Sequence, residues 1–188
     1  MSTKIRSILI HLATFGILLM FDQISKIWAA NTLSDGKTIS IIPGVIEFSY
    51  LQGGNKGAAW GLFSGKISFL LILTICICIC IICLYTRSLG VTSDTVNYSA
   101  ATRKKFFLLQ FIFSMLLAGA VGNIIDRIRL NYVIDFLHAT FIDFPIFNVA
   151  DCYVVVSSIL IVLTVLFYFK EPEFDLLFSR KKSERTHV

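Results

Sequence analysis

Two aspartates, Asp135 and Asp151, are the residues of this chain whose type and setting most directly indicate chemistry. Both stand beside apolar runs that are long enough to cross a bilayer, and ionisable groups at membrane depth are costly and usually functional. Sixteen positions separate them, which is enough for a loop to turn back and bring the two carboxyl groups together. A carboxylate pair that shares one proton is the arrangement used by aspartic proteases. The spacing permits such a pair, and acid–base hydrolysis is the chemistry that it predicts.

Asp151 also has a purely structural interpretation. Asn148 is a suitable N-cap for a helix that begins at the next residue. Asp151 then lies in the first turn of that helix, where a negative charge suits the helix dipole. The sequence leaves both interpretations of this carboxylate open.

A polar face on the preceding apolar run accompanies the aspartates. Asn123, Asp126 and Arg127 stand at i, i+3 and i+4, so a helix places them side by side. We expect all three to face one cleft with the carboxylates. The alternative is an ion pair between Arg127 and Asp126 and nothing more.

Two further motifs lie closer to the N-terminus. The segment 53–61 is rich in glycine and alanine, which let another backbone approach closely, and its Asn55 can both donate to and accept from a peptide group. It predicts a substrate-binding loop, with a tight turn as the alternative. Asp22 and Lys26 stand at i and i+4. They are either an interfacial ion pair that ends a helix or a scaffold that holds the outer segment against the helices.

The elements that must position these residues are membrane helices. The chain is 56% hydrophobic with a mean hydropathy of +0.78, which excludes an ordinary soluble domain. About 20 residues at a rise of 1.5 Å cover a hydrocarbon core of about 30 Å. We predict one integral membrane domain over residues 1–188, an all-α protein whose four transmembrane helices occupy about 8–28, 67–85, 106–125 and 149–169.

A small sheet is predicted outside the membrane, as an extracytoplasmic β-cradle over about residues 31–64. Thr38–Ile42 and Val45–Leu51 are rich in β-branched and aromatic residues, and Pro43-Gly44 between them is a turn signal. Tyr132–Leu137 is also predicted to be extended. It places Asp135 among apolar neighbours.

The distribution of positive charge predicts the orientation. Eleven of the 17 Lys and Arg residues fall on the side that holds both termini and the predicted 88–104 loop, and six fall on the other side. Both termini and a tail over 171–188 are therefore expected in the cytoplasm, with the polar motifs near the outer face. The net charge of +5 comes mainly from the cytoplasmic flanks, which indicates anionic lipid headgroups rather than nucleic acid as partners.

A metal or cofactor site is not expected. Cys76, Cys80 and Cys83 share a face of the second apolar run, where cysteine behaves as a small hydrophobic residue. His138 and Asp143 stand near Asp135, but no paired-histidine motif accompanies them.

Two other classes of protein compete with a peptidase. In a transporter or channel subunit, membrane carboxylates relay protons or ions, usually near the midplane on broken helices. Here the acids cluster at one membrane face beside a loop of small residues, which favours a peptidase. A structural or chaperone membrane protein would leave the paired aspartates unexplained.

Five motifs, taken together and in this order, resemble those of the bacterial lipoprotein signal peptidases (signal peptidase II). They extend over residues 22–151, nearly the whole predicted fold. They are Asp22-x-x-x-Lys26, Asn55-x-Gly-Ala-Ala-Trp60, Gly122-Asn123-x-x-Asp126-Arg127, Val133-x-Asp135-Phe136 and Phe147-Asn148-x-Ala-Asp151.

The resemblance implies an aspartic endopeptidase of the bacterial inner membrane with its active site near the periplasmic face. Its substrate would be a prolipoprotein that carries diacylglyceryl on a cysteine, and it would cut just before that cysteine without a cofactor. Membrane lipids and cyclic peptides of the globomycin class are the other implied partners. The implied catalytic pair is Asp135 and Asp151. Substrate binding is implied for Asn55, Gly57, Asn123, Arg127 and Asn148, and structural support for Asp22, Lys26 and Asp126.

Overall fold

The computed structural model describes residues 2–57, 63, 65–142 and 144–178. The ranges 58–62 and 179–188 lie outside the described residues, and so do Asp143 and Trp60. The elements in chain order are α1 (Thr3–Leu33), β1 (Thr38–Ile42), β2 (Ile46–Ser49), α2 (Ile67–Ser93), α3 (Ala100–Leu130), β3 (Leu137–Ala139), α4 (Val149–Leu163), a π-helical turn (Thr164–Tyr168) and α5 (Glu171–Phe178).

Among the described residues, four helices are long and apolar enough to cross a membrane: α1, α2, α3 and α4 with its π-helical turn. Together with a small antiparallel sheet, they confirm the predicted fold class. The first three helices extend beyond their predicted spans, whereas α4 with its π-helical turn ends at Tyr168, one residue before the predicted end. α1 and α3 have 31 residues each, about 46 Å at 1.5 Å per residue, and a bilayer core is only about 30 Å thick.

The predicted 88–104 loop is wrong over most of its length, because α2 continues to Ser93 and α3 begins at Ala100. Ser99 caps α3, where its side chain accepts a hydrogen bond from the backbone N–H of Thr102. Hydropathy marks only the part of a helix that lies in hydrocarbon, so the polar helix ends were assigned to a loop. The connection that remains is 94–99.

α3 is the central helix, on which α1, α2 and α4 all pack. Over its most apolar stretch 56% of the residues are buried, against 17% for each of the other three helices. Its small residues allow this packing. A Cβ atom on Gly119 would lie 2.5 Å from the carbonyl oxygen of Ala150, so α4 can lie this close only against a glycine.

The sheet has the order β1-β2-β3, with both pairs antiparallel. β1 occupies its predicted range, but β2 is shorter than the predicted strand Val45–Leu51. After β2 the backbone forms hydrogen bonds with the segment that carries Asp135. The Leu51 N–H donates to the Asp135 carbonyl oxygen at 3.0 Å. The predicted strand Tyr132–Leu137 is likewise reduced. It contributes a bridge at Val133 and the first residue of β3.

The sheet is fastened to the helices by an apolar cluster beneath it, formed by Ala29, Leu33, Ile134 and Phe136. At the opposite end of the bundle, α5 is held by an ion pair of 2.9 Å between Lys105 and Glu173. The predicted tail 171–188 therefore begins as a docked helix. No pattern in the sequence around Glu173 predicts its contact with Lys105.

Candidate active site

Asp135 and Asp151 line the same cleft, which has a volume of about 530 Å³. Asp135 reaches it from the extended segment that hydrogen-bonds to the sheet, and Asp151 from the first turn of α4. The fold therefore brings together two carboxylates that are 16 positions apart in sequence. The other polar residues of the lining are Asn55, Gly57, Asn123 and Arg127.

Asp135 is almost completely buried, with 1% of its surface exposed. The Asn55 side-chain amide donates to its Oδ2 at 2.8 Å, and the Asn148 side-chain amide donates to its Oδ1 at 2.6 Å. Burial, and after it the negative charge of Asp151, raises the pKa of Asp135 to about 7. This carboxyl group can therefore hold or release a proton near neutral pH.

Asp151 is held by two donors. The Asn123 side-chain amide donates to its Oδ1 at 2.8 Å, and the backbone N–H of Asn148 donates to its Oδ2 at 3.1 Å. The Asp151 N–H donates in return to the Asn148 side chain at 3.0 Å, which completes a capping box. The predicted N-cap is confirmed, and the cap and the cleft use the same carboxylate. Asn148 contacts both aspartates and so fixes their relative position.

Two hydrogen bonds to the side-chain oxygen of Asn123 fix the orientation of its amide group. Its Oδ1 accepts from Lys26 Nζ at 2.9 Å and from the Asn148 amide at 3.2 Å. A carbonyl oxygen with two donors, one of them cationic, leaves the amide nitrogen to face Asp151. The buried lysine thus acts on the aspartate through one intervening side chain.

Lys26 lies at the centre of a buried charge cluster behind the cleft. Its Nζ is 3.1 Å from Asp22 Oδ2 and 3.0 Å from Asp126 Oδ2. Asp22 also accepts from the backbone N–H of Ala150 at 2.9 Å, and Asp126 from that of Ile134 at 3.2 Å. The cluster therefore connects α1 and α3 to the two backbone segments that carry the aspartates.

The structure excludes one of the two alternatives for Asp22 and Lys26, the ion pair that ends a helix, and corrects the expectation that Asp126 faces the cleft. Asp22 and Lys26 do not end a helix at the interface, because α1 continues to Leu33 and the two side chains are 0% and 1% exposed. Asp126 does not line the cleft with Asn123 and Arg127; its carboxylate pairs with Lys26 behind the cleft. Asp126 and Arg127 are successive residues and therefore point about 100° apart around the helix, which is enough for their side chains to face different surroundings.

Arg127 lines the cleft beside the segment that carries Asn55 and Gly57. Its Nη2 is 3.5 Å from the Gly57 carbonyl oxygen. The Asn55 side-chain oxygen accepts from the Gly57 N–H at 2.9 Å, and its backbone pairs with Val133 through two hydrogen bonds of 2.9 Å. Among the described residues, the ion pairs do not include one between Arg127 and Asp126.

Sequence reasoning missed one residue that supports the site. The Gln23 side-chain amide donates to Asp22 Oδ2 at 3.0 Å and lies 3.3 Å from the Gly122 carbonyl oxygen, which joins α1 to α3. In the sequence, the only indication of a role for Gln23 is its position next to Asp22. His138, weighed above as a metal ligand, lies in the sheet with its Nδ1 2.9 Å from a carboxylate oxygen of Glu47.

In the described part of the chain, four helices are long enough to cross a membrane, and one cleft holds two carboxylates to which one asparagine is hydrogen-bonded. These features are typical of membrane peptidases of the aspartic type. Residues 14–167 match the family model described as signal peptidase (SPase) II. The chain belongs to the signal peptidase II family, whose activity is the cleavage of lipoprotein signal peptides.

Individual relatives agree with this assignment. The lipoprotein signal peptidase of Enterococcus faecalis is 37% identical over 161 residues, which are 86% of this chain and 90% of the relative. That of Streptococcus pyogenes is 34% identical over 147 residues, 78% of this chain and 86% of the relative. A solved bacterial membrane enzyme matches with a TM-score of 0.68 at 30% identity and covers 92% of both chains. The family resemblance predicted from the motifs is thus confirmed.

Proposed function

We propose that Asp135 and Asp151 are the catalytic pair of this lipoprotein signal peptidase, acting on prolipoproteins that carry diacylglyceryl on a cysteine and cutting just before that cysteine. The observation that supports the proposal most strongly is the bridge through Asn148, which hydrogen-bonds to both carboxylates at 2.6 Å and 3.1 Å. A capping residue alone would need only one of these contacts. Two carboxylates held this way in an enclosed cleft cannot both ionise cheaply, so they share one proton.

The proposed reaction is a direct attack of water on the peptide bond. The ionised carboxylate takes a proton from the water, while the protonated carboxyl group polarises the scissile carbonyl and later protonates the leaving amine. One proton enters the pair and one leaves it in each turnover. The pair titrates as a unit, so acid and base are assigned to the pair and not to one residue.

The polar residues divide into two groups. Asn55, Asn123 and Asn148 each donate their side-chain amide to one of the two carboxylates, so we assign them to positioning the pair rather than to binding substrate. Arg127 and the backbone of Gly57 are the groups left to bind the peptide backbone. The contact of 3.5 Å between Arg127 and the Gly57 carbonyl is long for a hydrogen bond, and a substrate carbonyl can replace it.

The remaining lining is apolar and suits acyl chains. Residues 144–147 before α4 and residues 154–156 on α4 form this wall beside the aspartates. Diacylglyceryl chains would lie here with their tails in the membrane lipid. Cyclic peptides of the globomycin class would occupy the same cleft and compete with the substrate.

The proposed location is the bacterial cytoplasmic membrane, with both termini inside and the cleft near the outer face. Eleven of 17 Lys and Arg residues on the inner side support it. Lys26 belonged to the outer count but is buried among carboxylates, so the difference in exposed positive charge between the two sides is larger than the count.

The orientation can be tested by cysteine labelling. In a chain without its native cysteines, Thr95→Cys in the 94–99 connection should react only with reagents that reach the cytoplasm. Labelling from outside would reverse the orientation.

The activity is tested with a synthetic peptide whose cysteine carries diacylglyceryl, beside the same peptide without the lipid. Purified protein should cut only the lipidated peptide, at the bond before the cysteine. Arg127→Lys keeps the charge but loses the planar fork of the guanidinium, so cleavage should fall while the protein still inserts. Arg129→Lys, at an exposed position of the same helix, should cleave normally. Equal cleavage by both variants would remove Arg127 from the site.

A further inference from the structure

One end of the small sheet is apolar and exposed. The β1–β2 turn and the chain that leaves β3 meet at this end, because the Thr140 N–H donates to the Val45 carbonyl oxygen at 2.9 Å. Four large side chains here are between 46% and 61% exposed, and we call them the apolar tip. They are Ile41, Ile42, Phe141 and Ile142.

The tip also lacks charge. The segments 38–46 and 139–142, which contain it, have no Lys, Arg, Asp or Glu. Asp35 and Lys37 stand before β1, at the opposite end of the sheet, and Glu47 pairs with His138 in its middle. Adjacent large apolar side chains that are exposed, with no charge among them, mark an interaction surface.

The position of the sheet relative to the membrane follows first from α4. This helix and its π-helical turn have 20 residues, which span about 30 Å, the thickness of the hydrocarbon core. Val149 therefore lies at the edge of the core. Phe147, two residues earlier, forms a bridge with Leu137, the first residue of β3. Two extended residues cover only about 7 Å, so β3 begins close to this edge.

α1 gives the same position independently. The ring of Trp28 lies 5.0 Å from that of Phe48 in β2, the central strand. Trp28 ends the apolar run of α1 and is 38% exposed, and tryptophan is enriched where a helix leaves the hydrocarbon core. The headgroup region extends roughly 5–8 Å beyond the core on each side. The sheet therefore lies at the depth of the headgroups and not in bulk water.

We propose that the apolar tip inserts into the lipid leaflet beside the sheet and anchors the sheet at the membrane surface. Lipid is the occupant because the surface next to the sheet already faces lipid. Ile24 and Ile27, within about one turn of Trp28, are 59% and 53% exposed. An uncharged tip at headgroup depth reaches the acyl boundary without burying a charge.

The depth of the tip is measured in phosphatidylcholine nanodiscs with a fluorophore on a single cysteine, in a chain whose native cysteines are replaced by alanine. Phe141→Cys and Ile42→Cys report on the tip, and Asp35→Cys, at an exposed position beyond the end of α1, is the control. Phosphatidylcholine with a nitroxide on its acyl chain quenches from the lipid, and iodide quenches from water. The tip labels should lie within about 5–10 Å of the acyl boundary and be protected from iodide. The Asp35 label should show the reverse.

Serine substitutions test whether the apolar side chains cause the insertion. With the label at Ile142→Cys, Ile42→Ser together with Phe141→Ser should reduce quenching by lipid and increase quenching by iodide. Thr38→Ser with Thr140→Ser, which changes polar residues near the same strands, should leave both unchanged. If the double tip variant does not fold, Phe141→Ser alone, with the label at Ile42→Cys, makes the same comparison.

Tip labels that iodide quenches as strongly as the Asp35 label would overturn the proposal. So would tip labels that are shielded from both quenchers, because a second copy of the chain or another protein would then cover the tip. None of these readings depends on peptidase activity or on which face of the membrane carries the sheet.

Discussion

Removing the Lys26 ammonium group is the perturbation whose cost the structure defines most clearly. Lys26 lies within 3.1 Å of Asp22 and 3.0 Å of Asp126, and the three side chains are 0–4% exposed. Lys26→Met keeps most of the volume but leaves two buried carboxylates without their cation. Removing one partner of a buried ion pair costs about 3–5 kcal/mol. For a chain of this size, that corresponds to a fall in Tm of roughly 6–20 °C.

The assay is thermal unfolding of the purified protein in one detergent, with Lys37→Met as the exposed control. Adding Asp126→Asn to Lys26→Met removes one of the two unpaired charges. The double variant should therefore be more stable than Lys26→Met alone, with a coupling of about 0.5–3 kcal/mol. A Tm of Lys26→Met within about 2 °C of wild type, below the shift expected for 1 kcal/mol, would refute this reasoning. So would a double variant that is less stable than the single one.

Three other predictions follow from the same contacts. Gly122→Ala should lower both Tm and cleavage, because its Cβ would overlap the Asp22 carboxylate, whereas Gly16→Ala, with no atom within 4 Å of the added Cβ, should do neither. Cleavage should fall as pH rises past about 7, to which burial raises the pKa of Asp135, because the pair then loses the proton that its two members share. A rate that keeps rising to pH 9 would contradict a shared proton. Asn148→Ala should reduce cleavage strongly as well as removing a cap worth about 1 kcal/mol, whereas Ser99→Ala removes a comparable cap and should leave cleavage intact.

The helices and the aspartate pair could be predicted because their signals are local in the sequence. Runs of about 20 apolar residues mark membrane spans whatever their neighbours. Asn148 and Asp151 fit the pattern of a helix start, which extends over only four residues. The loop between the aspartates is short enough for both to reach one cleft. The other site residues were predicted from the family motifs.

Other features depend on how α1 and α3 approach each other, which no local pattern contains. The side chain of Asp126 pairs with Lys26 on another helix and not with Arg127, the next residue on its own helix. Gln23 joins α1 to the backbone of α3 at Gly122, a contact between residues 99 positions apart. The helix ends were missed for a different reason. Hydropathy falls where the hydrocarbon core ends, whereas the helix itself continues through the polar residues beyond it.

The most direct test of the central claim is the cleavage of a diacylglyceryl-modified precursor by Asp135→Asn, Asp151→Asn and the double variant. Asn can accept a hydrogen bond but cannot take a proton from water. Each single variant should therefore lose roughly 10² to 10⁴ in rate or more while remaining folded in the membrane. The double variant should be about as inactive as either single one, because groups that act as a unit are not additive. Asp35→Asn, at an exposed position of the outer segment, should keep wild-type activity. An active Asp151→Asn would contradict the account, since Asp151 would then be a helix-capping charge and the partner of Asp135 would lie elsewhere.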